Sequence, residues 1–449
     1  MQEEPRNEGG TLSVGNAIGR GGADEVAPGS AVLEERDFSP DTAEGSVTEG
    51  APVAAQRGLS FTVVASVAAL AIVVSAAGAY VWSAVSGGEG GVAPAPAALV
   101  VGGITPLTGD AASFGIPIQQ AALLAAKEIN AQGGIGGRKV ELYWEDGKCE
   151  GENARRAAEK LFEEHPTMVA LIAGSCSSEF LSAAPLAQAR GVLSFSSSAT
   201  SPKISELGNL VFRTAPSDAL AGKIAAEYAF LTMDTRRAAL ITEDKDYPQG
   251  LRAVFKKRWR ELGGELVADA VFEPGTADFS DIARRIKEAG ADVVYLLPQT
   301  PTPGVLAVKE LKDAGVTAKL LTAEVLLIRD AIAEQGKILE GVVGIEVFFD
   351  KENPRAQRLI ANYEAEYGLE PTYPSFMAGM YDLMYLLKES YESTDGTPAA
   401  MADYLYGLRG WRGAVGKLSF DRNGDPALVY SIRKIEDGAA ITIDLVEPQ

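Results

Sequence analysis

From residue 99 onward, short apolar runs alternate with stretches of helical period, and this alternation limits the fold more than any other feature of the chain. Strand-like runs fall at residues 99–104, 139–144, 168–173, 192–195, 238–242, 292–297, 319–322 and 342–348. Residues 116–130 place apolar Ile116, Ala122, Leu123, Ala126 and Ile129 at helical spacing, and residues 252–262, 279–289 and 305–314 behave likewise. Gly290 and Gly315 follow two of these stretches, where a helix C-terminus favours glycine. Strand–helix–strand order of this kind calls for mainly parallel sheets with helices on both faces. So many strands suit two doubly wound parallel-sheet lobes better than one sheet.

The first 98 residues are unlike the rest. Residues 1–57 hold 11 acids, 4 bases and one aromatic, Phe38. Such a segment buries too little apolar surface to offset its ordering entropy, so we expect a disordered acidic tail. Residues 59–85 then run for 27 positions without a charge. As a helix they would extend about 40 Å, beyond the ~30 Å hydrocarbon core of a bilayer. Tyr80 and Trp82 sit near the far end, as interfacial aromatics do. Arg57 flanks the near end, and no Lys or Arg intervenes before Lys127. We therefore expect a single transmembrane helix over 58–85, with the N-terminus cytoplasmic and the remainder periplasmic or extracellular. Residues 86–98 read as a Gly/Pro linker.

The chain as a whole has 41 bases and 61 acids, a net charge of −20, of which −7 lies in the tail. That excess argues against a nucleic-acid partner, which requires a basic footprint. A single His, His165, excludes a metal site built from several imidazoles, and two Cys exclude zinc fingers and iron–sulfur clusters. The glycines at 133–137 precede a strand instead of opening a helix, so they are no dinucleotide fingerprint. Asp421, Asn423 and Asp425 mimic a calcium loop, but Pro426 stands where glycine is required, and a tight turn is expected. No nucleophile–base pair is visible, His165 is expected to be exposed, and we expect neither metal, cofactor nor catalysis.

In open α/β sheets, ligands bind beyond the carboxyl ends of the strands. There the chain carries two hydroxyl-rich turns, Gly174-Ser175-Cys176-Ser177-Ser178-Glu179 and Ser196-Ser197-Ser198-Ala199-Thr200-Ser201-Pro202. Tyr247 follows a third strand run and Glu324 a fourth. Hydroxyls and free helix N–H groups suit a carboxylate, and an acid suits an amine, so together they fit a zwitterion. Taken singly, such turns also serve simply to cap helices.

These motifs carry a resemblance. In order, Gly103-Ile104-Thr105-Pro106-Leu107-Thr108-Gly109, the segment Ile129 to Gly137, Cys149, Cys176-Ser177-Ser178, Ser198-Ala199-Thr200-Ser201-Pro202, Phe212-Arg213-Thr214-Ala215-Pro216 and Gly416-Lys417-Leu418-Ser419-Phe420-Asp421 resemble the leucine/isoleucine/valine-binding family. Its members are the substrate-binding components of ABC transporters. The resemblance implies the type I periplasmic binding protein fold, with a ligand cleft between two lobes: residues 99–216 with 349–421, and residues 217–348 with 422–449. It implies that Ser177, Ala199 and Thr200 grip the ligand's carboxylate and amine. Glu324 would pair with the amine, Tyr247 would form a lid, and Phe114 and Phe376 would line the side-chain pocket. It also implies a disulfide between Cys149 and Cys176, closing a loop of 28 residues. Two departures stand out: a Pro-rich loop with Gln299 at residues 298–303, and Pro248 after Tyr247 where glycine is usual.

The resulting expectation is a membrane-tethered extracytoplasmic receptor for an amino acid, branched-chain-like, or a similar small amide or carboxylate. Its partner would be an ABC permease. The rival expectation is a transmembrane ligand sensor signalling through its cytoplasmic tail.

Overall fold

The computed structural model describes residues 97–448, so the expectations for the acidic tail, the transmembrane helix and nearly all of the linker lie outside the described residues. Among the described residues no helix is long and apolar enough to cross a membrane.

Two parallel-stranded sheets organise the rest. The first contains β1 (Leu99–Thr105), β2 (Val140–Asp146), β3 (Ala170–Ile172), β4 (Leu193–Ser196) and β5 (Val211–Arg213), in the order β2-β1-β3-β4-β5. Every pairing in it is parallel. Strands β3, β4 and β5 are buried throughout, which suits a parallel sheet covered on both faces. The covering helices include α1 (Ala112–Ala131), α2 (Gly151–Glu164) and α3 (Ser177–Ala189). The chain then crosses through α4 (Asp218–Glu227) into the second sheet.

That sheet alternates β6 (Arg237–Glu243), α5 (Asp246–Glu261), β7 (Glu265–Phe272), α6 (Ser280–Ala289), β8 (Val293–Leu297), α7 (Pro301–Asp313), β9 (Lys319–Ala323), α8 (Arg329–Leu339) and β10 (Val343–Val347). The chain returns through α9 (Pro354–Tyr367), α10 (Pro374–Glu392) and α11 (Pro398–Gly407). Glu128 on α1 receives Asn362 of α9 and Tyr385 of α10, each at 2.8 Å, so these helices belong with the first sheet. A short ribbon follows, β11 (Trp411–Arg412) with β12 (Lys417–Leu418), tied down by the buried Asp382 carboxylate, which accepts the N–H groups of Ala414 and Val415 at 2.8 Å each. The hairpin β13 (Tyr430–Glu436) and β14 (Ala439–Val446) then completes the second sheet in the order β14-β13-β10-β9-β8-β6-β7. Only β13 and β14 run antiparallel.

All eight strand runs expected from sequence are strands, and the expected helical stretches fall on α1, α5, α6 and α7. Three local expectations change. The Pro-rich segment is the start of α7, with Pro301 in its first turn, where a missing N–H costs nothing. Pro248 likewise sits in the first turn of α5. His165 is half-buried, its ring stacked on Tyr143 with centroids 3.7 Å apart.

One fully buried cation joins the two crossings. Arg213, at the end of β5, uses all five of its N–H groups. Its Nε and Nη2 fork onto Asp425 at 2.6 and 3.0 Å, its Nη1 donates to the carbonyls of Ala199 and Ser201 at 3.1 and 3.0 Å, and Nη2 also reaches Ser205 Oγ at 2.8 Å. The Cys149–Cys176 disulfide is formed and buried, with Cα atoms 5.3 Å apart.

Replacing Arg213 by Met leaves Asp425 and two carbonyls without their donor, so urea unfolding should show a loss of about 3–5 kcal/mol; a loss under about 1 kcal/mol would remove this pair from the role. Reducing the disulfide should lower the unfolding free energy by about 3–4 kcal/mol through the released loop entropy, and an unchanged urea midpoint under reductant would contradict that.

Candidate functional site

A small cavity of about 20 Å³ lies beyond the carboxyl ends of the strands, where the two sheets face each other. Five helices start at its wall, bringing in Phe114 of α1, Ser177 of α3, Tyr247 of α5, Pro301 of α7 and Phe376 of α10. Their N-termini carry partial positive charge and unpaired N–H groups, so the wall favours an anionic group.

On the first-sheet side the turn after β3 is built around Glu179. Its carboxylate accepts the N–H groups of Ser175 and Cys176 at 3.0 Å each, and that of Cys149 at 3.0 Å. It thereby fixes both half-cystines and the start of α3 in one arrangement. Burial pushes its carboxyl up to about 7, against those three donors and with a smaller push from Asp146. Gly174 is required here: its φ is 150°, and a Cβ would lie 2.5 Å from that of Glu179. Hydroxyls stitch this turn to the one after β4. Ser198 Oγ donates to the Ser175 carbonyl at 2.9 Å, Ser196 Oγ to that of Gly174 at 2.7 Å, and Ser175 Oγ pairs with Thr105 Oγ1 at 2.6 Å. Ser177 Oγ accepts the Ser201 N–H at 3.1 Å, which leaves its own hydroxyl proton to donate.

The second-sheet side presents an acid. Tyr247 Oη donates to Glu324 Oε1 at 2.9 Å. Burial pushes the Glu324 carboxyl up to about 7, while that hydroxyl and a backbone N–H favour the ionised form. Gln299 reaches across: its N–H donates to Glu243 Oε2 at 2.8 Å, and its Nε2 lies 4.0 Å from Cys176 Sγ. An aromatic wall closes one end, with Phe114 edge-on to Tyr373 and Phe376 at 4.9 and 5.8 Å.

Of the expected residues, Phe114, Ser177, Tyr247, Glu324 and Phe376 are brought together on the cavity wall. Ala199 and Thr200 are buried behind it. The Ala199 N–H goes to Ser196 Oγ and its carbonyl to Arg213, while the Thr200 carbonyl accepts the Asp218 N–H. The structure adds Tyr373, Gln299 and Thr300 to the wall. A Tyr directly before the Pro that opens α10, three residues ahead of Phe376, was the available signal for Tyr373. Asp218, at the start of α4, is buried and lies off the wall. That carboxyl is driven well above its usual range by burial and then by Glu324, and its Oδ2 has no hydrogen-bond partner among the described residues. The Asp425 turn is structural: Asp421 Oδ1 accepts the N–H groups of Asn423 and Asp425 at 2.8 and 3.0 Å.

The chain as a whole has known counterparts. Residues 98–439 match the periplasmic binding protein family. A Leu/Ile/Val-binding protein homolog 1 from Brucella suis is 27% identical over 344 residues, covering 76% of this chain and 91% of that one. The crystal structure of a leucine binding protein from Thermotoga maritima superposes with a TM-score of 0.71 at 24% identity, over 78% of this chain and 99% of that chain. An ABC transporter substrate-binding protein from Desulfitobacterium hafniense, solved in complex with Leu, gives 0.63 at 27% identity, over 77% and 99%. The architecture is the type I fold of these receptors, and with most of its length matched the chain belongs to the periplasmic binding protein family, alongside the Leu/Ile/Val-binding proteins it resembles.

Proposed function

We propose that this chain is an extracytoplasmic receptor that holds an amino acid or a similar small zwitterion between two lobes and delivers it to an ABC importer. The lobes comprise residues 99–216 with 349–421, and residues 217–348 with 422–449. One observation carries the reading: the Glu324 carboxyl, aligned by Tyr247, stands across a narrow cavity from Ser177 and the N-terminus of α3. A zwitterion presents its amine to the first and its carboxylate to the second. The leucine found in the Desulfitobacterium receptor supports this ligand class.

The buried disulfide supports an oxidising compartment. The uncharged run at residues 59–85 supports a retained anchor, with residues 1–57 on the cytoplasmic side. Ligand entry requires the walls to part, because about 20 Å³ holds little more than one water molecule. Closing again around a charged ligand would exclude water and strengthen its hydrogen bonds.

Calorimetry against the twenty standard amino acids should find at least one ligand. Glu324→Gln should weaken an amine-bearing ligand at least tenfold, since charge-assisted bonds are worth about 1.5–3 kcal/mol. Silence across the panel ends the amino-acid reading, and an unchanged affinity in the variant ends the role of Glu324.

The pH dependence has a definite sign. An ammonium ligand requires Glu324 ionised, and its carboxyl stands at about 7. Affinity should therefore fall toward about tenfold per unit as pH drops below 7, and level off above it. Ligand-free stability runs the other way: the contribution of this raised carboxyl is fully present below about 4.5 and is lost as pH rises through about 7. Titrations from pH 5.5 to 8 check this; a flat profile that Glu324→Gln leaves unaltered rules out the carboxylate as the amine's partner.

A further inference from the structure

We propose that the cavity continues past Tyr373 and Phe376 into a second chamber, and that the two together take an amine-bearing ligand longer than one aliphatic amino acid, the simplest being a dipeptide, whose far carbonyl or carboxylate oxygen accepts a hydrogen bond from Arg433. The inference rests on the receptor reading above and specifies its ligand class.

The chamber measures about 720 Å³, within the roughly 300–1,000 Å³ range of small-molecule sites. Glu324, Tyr373 and Phe376 line both spaces, so only the side chains that wall the small cavity separate them. The chamber reaches from Glu324 along Leu327, Ile328 and Ile332 to Phe348 and Phe349, and at its far side opens on β13 and the β13–β14 hairpin. Apolar walls with a few convergent polar groups suit an organic ligand with an apolar body.

Arg433 supplies the polar end. Its Nη1 donates to Glu346 Oε1 at 2.6 Å and its Nη2 to the Ala440 carbonyl. Its Nε is buried and has no hydrogen-bond partner among the described residues. A buried donor left unpaired costs about 1–3 kcal/mol, and a ligand oxygen would remove that cost. Glu346, held by Arg433, could in turn accept from a ligand amide N–H. The two ends are electrostatically close: the Glu346 charge is felt at Glu324 and raises its carboxyl. Acids and bases are nearly balanced around the chamber, with Glu324, Glu346, Asp350 and Glu352 against Arg329, Lys351 and Arg433. Local hydrogen bonding, not a net field, therefore decides what binds there.

A ligand with its amine at Glu324 would lay its first side chain against Phe114 and carry its second residue between Tyr373 and Phe376. Leucine alone would leave the chamber and Arg433 unused.

The test is calorimetry of the full chain with leucine and with leucyl-leucine, repeated for Arg433→Met and Ala333→Trp. Ala333 is an exposed α8 residue facing the chamber, so the indole should narrow it without disturbing the core. We expect the dipeptide to bind at least tenfold tighter than leucine, and each variant to lower the dipeptide-to-leucine affinity ratio at least tenfold. Leucine binding as tightly as the dipeptide, or a ratio unmoved by Ala333→Trp, overturns the chamber while leaving the receptor reading intact. Binding of neither ligand overturns the chamber proposal, and silence across the twenty amino acids as well overturns the receptor reading with it. Should Arg433→Met fail to fold, as shown by a lost thermal transition, Ala333→Trp alone decides.

Discussion

A buried guanidinium must be fully paired, and Arg213 meets that demand with groups that the site depends on. Its carbonyl partners, Ala199 and Ser201, are the turn after β4, and its carboxylate partner, Asp425, lies on the stretch that carries the chain back to β13. Removing either partner would strand a charge in a low-dielectric interior at a cost of several kcal/mol. The position of the turn and the path of the crossing are thus one constraint. The acidic turn at 421–425, which looks like a metal loop by spacing, has the same explanation: Asp421 caps the turn that aims Asp425 at Arg213. This also explains why Ala199 and Thr200 stand behind the cavity wall. With the Ala199 N–H and both carbonyls engaged, they hold the turn that presents Ser198 to the cavity.

The electrostatics of the cleft follow from opposing two kinds of group. Helix N-termini converge from both sheets, and any chain that did only this would bind anions indiscriminately. Glu324 sets a limit on that, with Asp218 behind it, each held in its neutral range by burial. Raised carboxyl groups destabilise the ligand-free fold above about pH 5, as linkage requires, and at Asp218 the Arg213 charge offsets part of this. Such strain persists where a function uses it, and an ammonium group at Glu324 is the partner that relieves it. Glu179, equally buried, differs in kind: three N–H donors surround it, so it organises the disulfide turn and leaves nothing for a ligand.

What could be read from sequence divides along physical lines. Buried parallel strands are continuous apolar runs, and most of the eight that were legible had that character, the partly exposed edge strand β2 with Glu141 being an exception. The strands that escaped notice lack it. β5 has only three residues, β7 is a partly exposed edge carrying Glu265 and Asp269, and β13 and β14 mix charged and apolar residues because the hairpin sits at the opposite edge. At the site, residues in ordered turns such as Ser177 were legible because strand ends and helix starts locate them. Gln299 stood out as a departure from the family's pattern, whereas Tyr373 and Asp218 were not legible, since their places depend on which loops meet across the cleft, and no local period records that. The Pro-rich segment misled for a related reason: three prolines suggest a loop, yet proline in a first helical turn is well tolerated.

How tightly the cleft shuts is set by fit. Two surface ion pairs bridge the lobes, Lys203 with Asp246 at 3.0 Å and Arg329 with Glu370, and each is exposed and worth at most about 1 kcal/mol. The closer contact is made by α5, which sets Tyr247 on Glu324 and, one turn later, Gly250 against the first-sheet side. A Cβ on Gly250 would lie 2.8 Å from Pro202 Cδ. One helix therefore couples the approach of the two sides to the placement of the hydroxyl that aligns the acid. Tyr247 and Glu324 both belong to the second-sheet side, so parting the two sides carries the hydroxyl and the acid together and leaves their bond intact. Room for a longer ligand lies toward the opposite end of the cleft, where the side chains of Tyr373 and Phe376 form the boundary.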